Sequence, residues 1–360
     1  MKILTLQNIN LREKTASRMA RKKGVVFKDF EVEVARVVTG EAIEGNDVWY
    51  QDRNGDFLWS GGTTRVEDVT QQQVGPLVID DHQLSPAQRM LGIPEIWKHA
   101  TGKGVRVAVI DTGILSSHPD LSPPFVAGFN ARQSNTDFAD IDGHGTHCAG
   151  IIAARGLGEM IGVAPDCALY AVKMANRQTS GFSKEAFQAA IDWAIDQQVH
   201  VISLSLGTNE DADQTLRLSV EKAVNADIVV VAAIGNEGTD QQGPAPEHGD
   251  VPARYAACIS VGALHDDLTL TAYTSKFDNI TVCAPGNDVV STWKDGRYHR
   301  ETCTSMATPF VAGVVALLRS KRPDLPAADL HAILKNTALE KQDGPLRYRV
   351  IQPLAAFHEL

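Results

Sequence analysis

Three short segments hold side chains suited to acyl transfer: VIDTG with Asp111, GHGTHCAG with His144, and TCTSMATP with Ser305. A serine hydroxyl is a weak nucleophile until an imidazole takes its proton, and the imidazole needs an acid to orient it. Each piece alone has a plainer reading. Asp111 could cap a turn, or mark the D-T-G that aspartic proteases also use. His144 could be a satisfied core residue. Ser305, ahead of the apolar run FVAGVVALLR, could be a helix N-cap. His144 and His147 stand three apart and raise a metal site, yet HExxH and a third ligand are missing, so His147 reads as structural. A helix N-terminus at Ser305 would add free N–H groups and a dipole favouring negative charge. Pro309 is tolerated there if it falls within the first helical turn.

The elements that must position these residues follow from the apolar pattern. Beyond Gly102 the runs VRVAVI, ALYAVKM, VISLSL, DIVVVAAI, ACISVGA and ITVCAP are continuously apolar, as in a sheet buried on both faces. Helical patterns at Ser183 to Gln197 and Gln214 to Asn225 alternate with them, which predicts an α/β domain with a doubly wound, mainly parallel sheet. Asp111 then falls at the carboxyl end of a strand, where such sheets collect functional groups. The first ~75 residues read instead as short strands punctuated by turn signals. Asn54-Gly55, between VWYQD and FLWSG, predicts a hairpin. The expected organisation is an all-β unit at 1–72, a linker at 73–100 that is polar and Pro-punctuated and then helix-like around Ser85 to Met90, and the α/β domain at 101–360.

Taken in order, VIDTG, GHGTHCAG and TSMATP resemble the subtilisin-like serine protease family, whose triad runs Asp, His, Ser along the chain. The resemblance covers about residues 100 to 355 and extends to Gly162-Val163-Ala164-Pro165, Ser205-Leu206-Gly207, Gly235-Asn236-Glu237-Gly238 and the closing YRVIQPLAAF. It implies a serine endopeptidase with Ser305 as nucleophile, His144 as general base and acid, and Asp111 as the orienting carboxylate. Asn236 and the Ser305 amide would form the oxyanion hole. Substrate would lie as an extended strand beside Ser180-Gly181 and Ser205-Leu206-Gly207. Ala232, Ala233 and Gly235 would line the pocket for the side chain preceding the scissile bond (P1). Small lining residues favour a large apolar P1 and Glu237 at the rim a basic one, and the sequence leaves the preference open. Cys303 stands where the family usually has glycine. Asp120 matches an acid of the family's calcium site, but the loop Arg155 to Met160 lacks Asn and is short. No cofactor is needed for catalysis, and a calcium site is left undecided. Residues 1–72 resemble the bacterial SH3-like domain through Asn10-Leu11-Arg12, Lys23-Gly24-Val25 and WYQD…FLWSGG, which implies a peptide or cell-wall ligand or a merely structural unit.

Composition narrows the partners. A formal charge of −10 argues against general affinity for nucleic acid or anionic membrane. Five cysteines are an odd number without C-x-x-C pairs, neither a disulfide framework nor a zinc pattern. The N-terminus lacks the apolar region of a secretory signal, so a cytoplasmic location is expected, the alternative being secretion with the signal already removed.

Overall fold

The computed structural model describes residues 80–175, 182–208, 214–238, 249–344 and 346–360, and seven strands between residues 2 and 65. The chain divides into two units, Met1–Val78 and Ile79–Leu360.

The first unit contains β1 (Lys2–Thr5), β2 (Ile9–Arg12), β3 (Lys22–Val26), β4 (Glu31–Ile43), β5 (Asn46–Asp52), β6 (Phe57–Trp59) and β7 (Thr63–Arg65). They form one sheet in the order β3-β2-β6-β5-β4-β1-β7, with every neighbouring pair antiparallel. Strands β5 and β6 pair as the Asn54-Gly55 signal requires, Trp49 opposite Trp59 and Gln51 opposite Phe57, although the turn lies outside the described residues. Trp49 is buried.

In the second unit residues 80–100, read as a linker with a helix-like stretch at Ser85 to Met90, carry that helix and further folded turns. A 3-10 turn at Asp81–Gln83 leads into helices α1 (Pro86–Met90) and α2 (Ile93–Trp97). The polar side chains that made this run look solvated are bonded far along the chain. Gln83 Nε2 donates to the carbonyls of Gly156 and Gly158, Gln88 Nε2 to Ile161, and Trp97 Nε1 to Val163, all at 2.7–2.8 Å. Such pairings satisfy buried amides and carbonyls together, and one-dimensional polarity does not reveal them.

The central sheet uses β8 (Arg106–Asp111), β9 (Phe125–Asn130), β10 (Ala168–Lys173), β11 (Val201–Leu204), β12 (Val229–Ala233), β13 (Ile259–Leu264) and β14 (Val282–Pro285). Its order, completed by β17 (Leu339–Asp343) and β18 (Leu346–Val350), is β17-β18-β14-β13-β12-β11-β8-β10-β9. All neighbours are parallel except β17 and β18. Strands β11 to β14 are buried at every residue, as their unbroken apolar sequences require. A separate antiparallel ribbon joins β15 (Val289–Thr292) to β16 (Tyr298–Glu301). Helices α3 (His144–Ala153), α4 (Lys184–Asp196) and α5 (Gln214–Asn225) cross between strands. Helix α6 (Thr304–Lys321) is buried from Thr304 to Leu318 and runs through the core.

Candidate active site

Asp111 ends β8 at the carboxyl edge of the sheet and is 1% exposed. Its Oδ1 accepts from the Thr112 amide at 2.7 Å and from His144 Nδ1 at 2.8 Å. Oδ2 is buried and has no hydrogen-bond partner among the described residues. His144 opens α3, and the next residue explains how helix and strand end meet: a Cβ at Gly145 would collide with the Gly113 carbonyl and crowd the Asp111 side chain.

Asp140, not singled out from sequence, fixes this junction. Its Oδ1 accepts from Thr112 Oγ1 at 3.0 Å and from the Asp142 and Gly143 amides at 2.9 Å. Its Oδ2 accepts from the Thr146 amide at 2.9 Å and from Thr146 Oγ1 at 2.6 Å. One carboxylate thus ties the end of β8 to the first turn of α3. An acid just ahead of a helix start is the signal that marks it.

Burial opposes a charged His144, but the Asp111 carboxylate, followed by Cys148, outweighs it and raises the imidazole well above its ordinary 6.5. His147 behaves oppositely. Burial pushes it down to about 4, and its Nε2 lies 3.1 Å from both the Val289 and His299 carbonyls, so it is a neutral donor bracing the ribbon. The two histidines therefore turn to different partners and do not form the metal pair that their spacing raised.

Ser305 is the second residue of α6 and is 8% exposed. Its hydroxyl donates to the Ser205 carbonyl at 3.1 Å rather than to His144. Such a contact often tightens only when substrate is bound. Pro309 lies beyond the first turn, contrary to expectation, and so removes the helical bond to the Ser305 carbonyl. That carbonyl instead accepts from Ser205 Oγ at 2.7 Å and Cys148 Sγ at 3.6 Å. An orphaned buried carbonyl would cost ~1–3 kcal/mol, so Ser205 offsets a defect placed one turn after the serine.

Asn236 lies in the loop after β12 with its side chain exposed. Its Oδ1 accepts from the Thr304 amide at 2.8 Å and Thr304 Oγ1 at 3.1 Å. This clamp turns Oδ1 to Thr304 and leaves Nδ2 outside it, while the Ser305 amide lies in the first turn of α6 next to the Cys303 thiol. Ser205 follows β11, with Leu206 and Gly207 half-exposed after it. Ala232 and Ala233 close β12 and are buried, and buried Gly235 precedes Asn236. Ser180 and Gly181 lie outside the described residues.

Cys303 has an extended backbone, φ −177°, that any residue adopts, so replacing the usual glycine creates no strain. Its Sγ lies 3.2 Å from Met306 Sδ. Burial raises this thiol, but His144 and Ser305 overcome that and lower it. Cys148, Cys167, Cys258 and Cys283 are buried and all raised, foremost by burial. Maleimide is therefore expected to modify Cys303 first and to stop turnover, with Cys303→Ser abolishing the sensitivity. Inhibition that persists in that variant would contradict this assignment.

Around Asp120 the oxygens are engaged. Oδ1 accepts from the Leu157 amide at 2.6 Å and Oδ2 from the Tyr298 hydroxyl at 2.5 Å, while Gln83 Nε2 occupies the Gly156 and Gly158 carbonyls. Among the described residues, no helix is long and apolar enough to cross a membrane.

Similarity to characterised proteins agrees with this geometry. The model described as the subtilase family matches residues 102–350. An intracellular serine protease of Paenibacillus polymyxa is 39% identical over 271 residues, 71% of this chain and 80% of the relative. The subtilisin of Bacillus pumilus is 42% identical over 240 residues, 66% of this chain and 85% of the relative. The crystal structure of a cold adapted subtilisin-like serine proteinase superposes with a TM-score of 0.62 at 28% identity, covering 70% of this chain and 89% of that one. The chain belongs to the subtilase family, and its function is that of a serine endopeptidase.

Proposed function

We propose that Ser305 Oγ attacks the scissile carbonyl of a peptide substrate while His144 takes its proton, forming an acyl-enzyme that water then hydrolyses. His144 returns the proton to the leaving amine, and Asp111 holds the imidazole and stabilises the imidazolium. Asn236 Nδ2 and the Ser305 amide receive the oxyanion. The observation carrying this reading is the buried 2.8 Å bond between Asp111 and His144 beside the N-terminus of the helix that bears Ser305. The substrate would run along Ser205-Leu206-Gly207. Incubation with an unfolded protein and sequencing of the new termini is the test: internal cuts are expected, and release of terminal residues alone would contradict an endopeptidase.

The activity should lean alkaline. Only neutral His144 can accept the proton, and the Asp111 carboxylate holds its protonated form in place against burial to a pH above the ordinary 6.5. The acid limb of kcat/KM is therefore expected above 6.5, moving downward in Asp111→Asn. The linked stability has the opposite sense: it is fully present below the unfolded-state value and lost as pH rises through the folded one. An acid limb at or below 6.5 would contradict the assignment.

The Asp120 region fits a metal-free staple better than a calcium cage. Calcium needs six to eight oxygen ligands, whereas here the carboxylate oxygens and two loop carbonyls already accept from N–H and O–H groups. EDTA is expected to leave Tm unchanged, and a fall of several degrees would contradict this. We read the protein as cytoplasmic. Its five cysteines are free, and relatives from Paenibacillus polymyxa and Bacillus subtilis are named as intracellular serine proteases. We read residues 1–72 as an SH3-like accessory unit that takes a peptide or cell-wall fragment, a reading supported by its antiparallel sheet.

A further inference from the structure

The two segments beside Ser305 are joined at their base by a third that the triad does not involve. Asp250 donates its amide to the Ile234 carbonyl at 2.8 Å, and Val251 exchanges amide-to-carbonyl bonds with Thr208 at 2.8 and 3.0 Å. Asp250 is thereby pinned between the 205–208 and 234–237 segments. Its side chain faces both. A Cβ built on Gly207 would lie 2.5 Å from Asp250 Cβ and 2.9 Å from its Oδ2; one built on Gly235 would lie 3.2 Å from Asp250 Cγ and 2.6 Å from Glu237 Oε2. Both glycines therefore leave room for carboxylates, and the two acids border the same point above Gly235.

These acids differ in exposure. Glu237 is solvent-exposed, and its carboxylate accepts from Ser275 Oγ at 2.6 Å, which fixes its orientation. Asp250 is half-buried. Burial, then the Glu237 carboxylate, push Asp250 up to about 7, against the opposing pull of Arg254. Two like charges held this close to each other, one of them partly desolvated, stay unfavourable even with Arg254 nearby, since its pull leaves Asp250 raised. A cation entering between the 205–207 and 235–237 segments would relieve both.

We infer that Asp250 at the floor and Glu237 at the rim form an acidic P1 pocket that selects lysine or arginine before the scissile bond. The inference rests on Ser305 being the nucleophile, because that places these walls beside the scissile bond. Specificity for a charged side chain arises where the matching group is partly buried, since an apolar side chain leaves the acid pair unrelieved. Asp250 is accordingly the stronger determinant and Glu237 the weaker.

The test uses the full chain and a matched pair of peptidyl diphenyl phosphonates, identical except for an arginine-like or a phenylalanine-like P1 group, with adduct formation followed by intact mass. The arginine-like reagent is expected to react at least tenfold faster. That ratio should fall at least tenfold in Asp250→Asn and by a smaller factor in Glu237→Gln. The rim variant keeps the inference testable if the half-buried one does not fold. Equal rates, faster reaction of the phenylalanine-like reagent, or a ratio unmoved in a folded Asp250→Asn would overturn the acidic pocket while leaving Ser305 as nucleophile. No adduct on Ser305 with either reagent would overturn both readings.

Discussion

Ser305→Ala and His144→Ala are each expected to lower kcat by about 10⁶-fold, and the double variant is expected to be no worse than either. That scale was established on subtilisin and is carried here by family membership. The physical reason is that nucleophile and base act as one unit: without the imidazole the hydroxyl keeps its proton, and without the hydroxyl the imidazole has nothing to activate. Residual turnover should come from the oxyanion donors and substrate binding alone. The measurement is single-turnover hydrolysis of a peptide anilide, with thermal melting of each variant to confirm the fold. Losses below about a hundredfold, or effects that multiply in the double variant, would place the chemistry elsewhere.

Asn236→Ala is expected to lower kcat by about 10²–10³-fold with little change in KM, again a magnitude established on subtilisin. Asn236 Oδ1 is held by the Thr304 amide and hydroxyl, which aims Nδ2 away from Thr304. A donor positioned before the reaction stabilises charge that develops only in the transition state, so its loss appears in kcat. Asn236→Asp separates the two ends of this side chain. It keeps an acceptor for Thr304 but removes the donor and adds a negative charge, so it is expected to fall at least as far as alanine. Recovery of activity in that variant would show that the clamp on Thr304, not the oxyanion contact, accounts for the effect.

The enzyme class was the most legible part of the sequence, because the segments holding Asp111, His144 and Ser305 are short motifs at element boundaries within the span that the subtilase family matches. Continuous apolar runs likewise announced the strands β11 to β14. Long-range polar pairing was not legible. Gln83 and Gln88 look like linker residues until their amides are seen bonded to carbonyls more than seventy positions away. Pro309 looked harmless within a first turn, yet it strips a bond from the Ser305 carbonyl that Ser205 must replace. Asp250 carries no motif. Its role arises from pairing with Ile234 and, through Val251, with Thr208, so only the folded chain places it beside Gly207 and Gly235. Cys303 was readable as a departure from the family, but its tolerance follows from an extended backbone that no sequence pattern displays.

The most direct test of the central claim is reaction of the full-length protein with a fluorophosphonate, read by intact mass and peptide mapping. A single adduct on Ser305, absent in both Ser305→Ala and His144→Ala, is the predicted result. It requires an activated hydroxyl and no knowledge of the substrate. An adduct on another serine, or labelling of Ser305 that survives His144→Ala, would contradict a nucleophile activated by the Asp111–His144 pair.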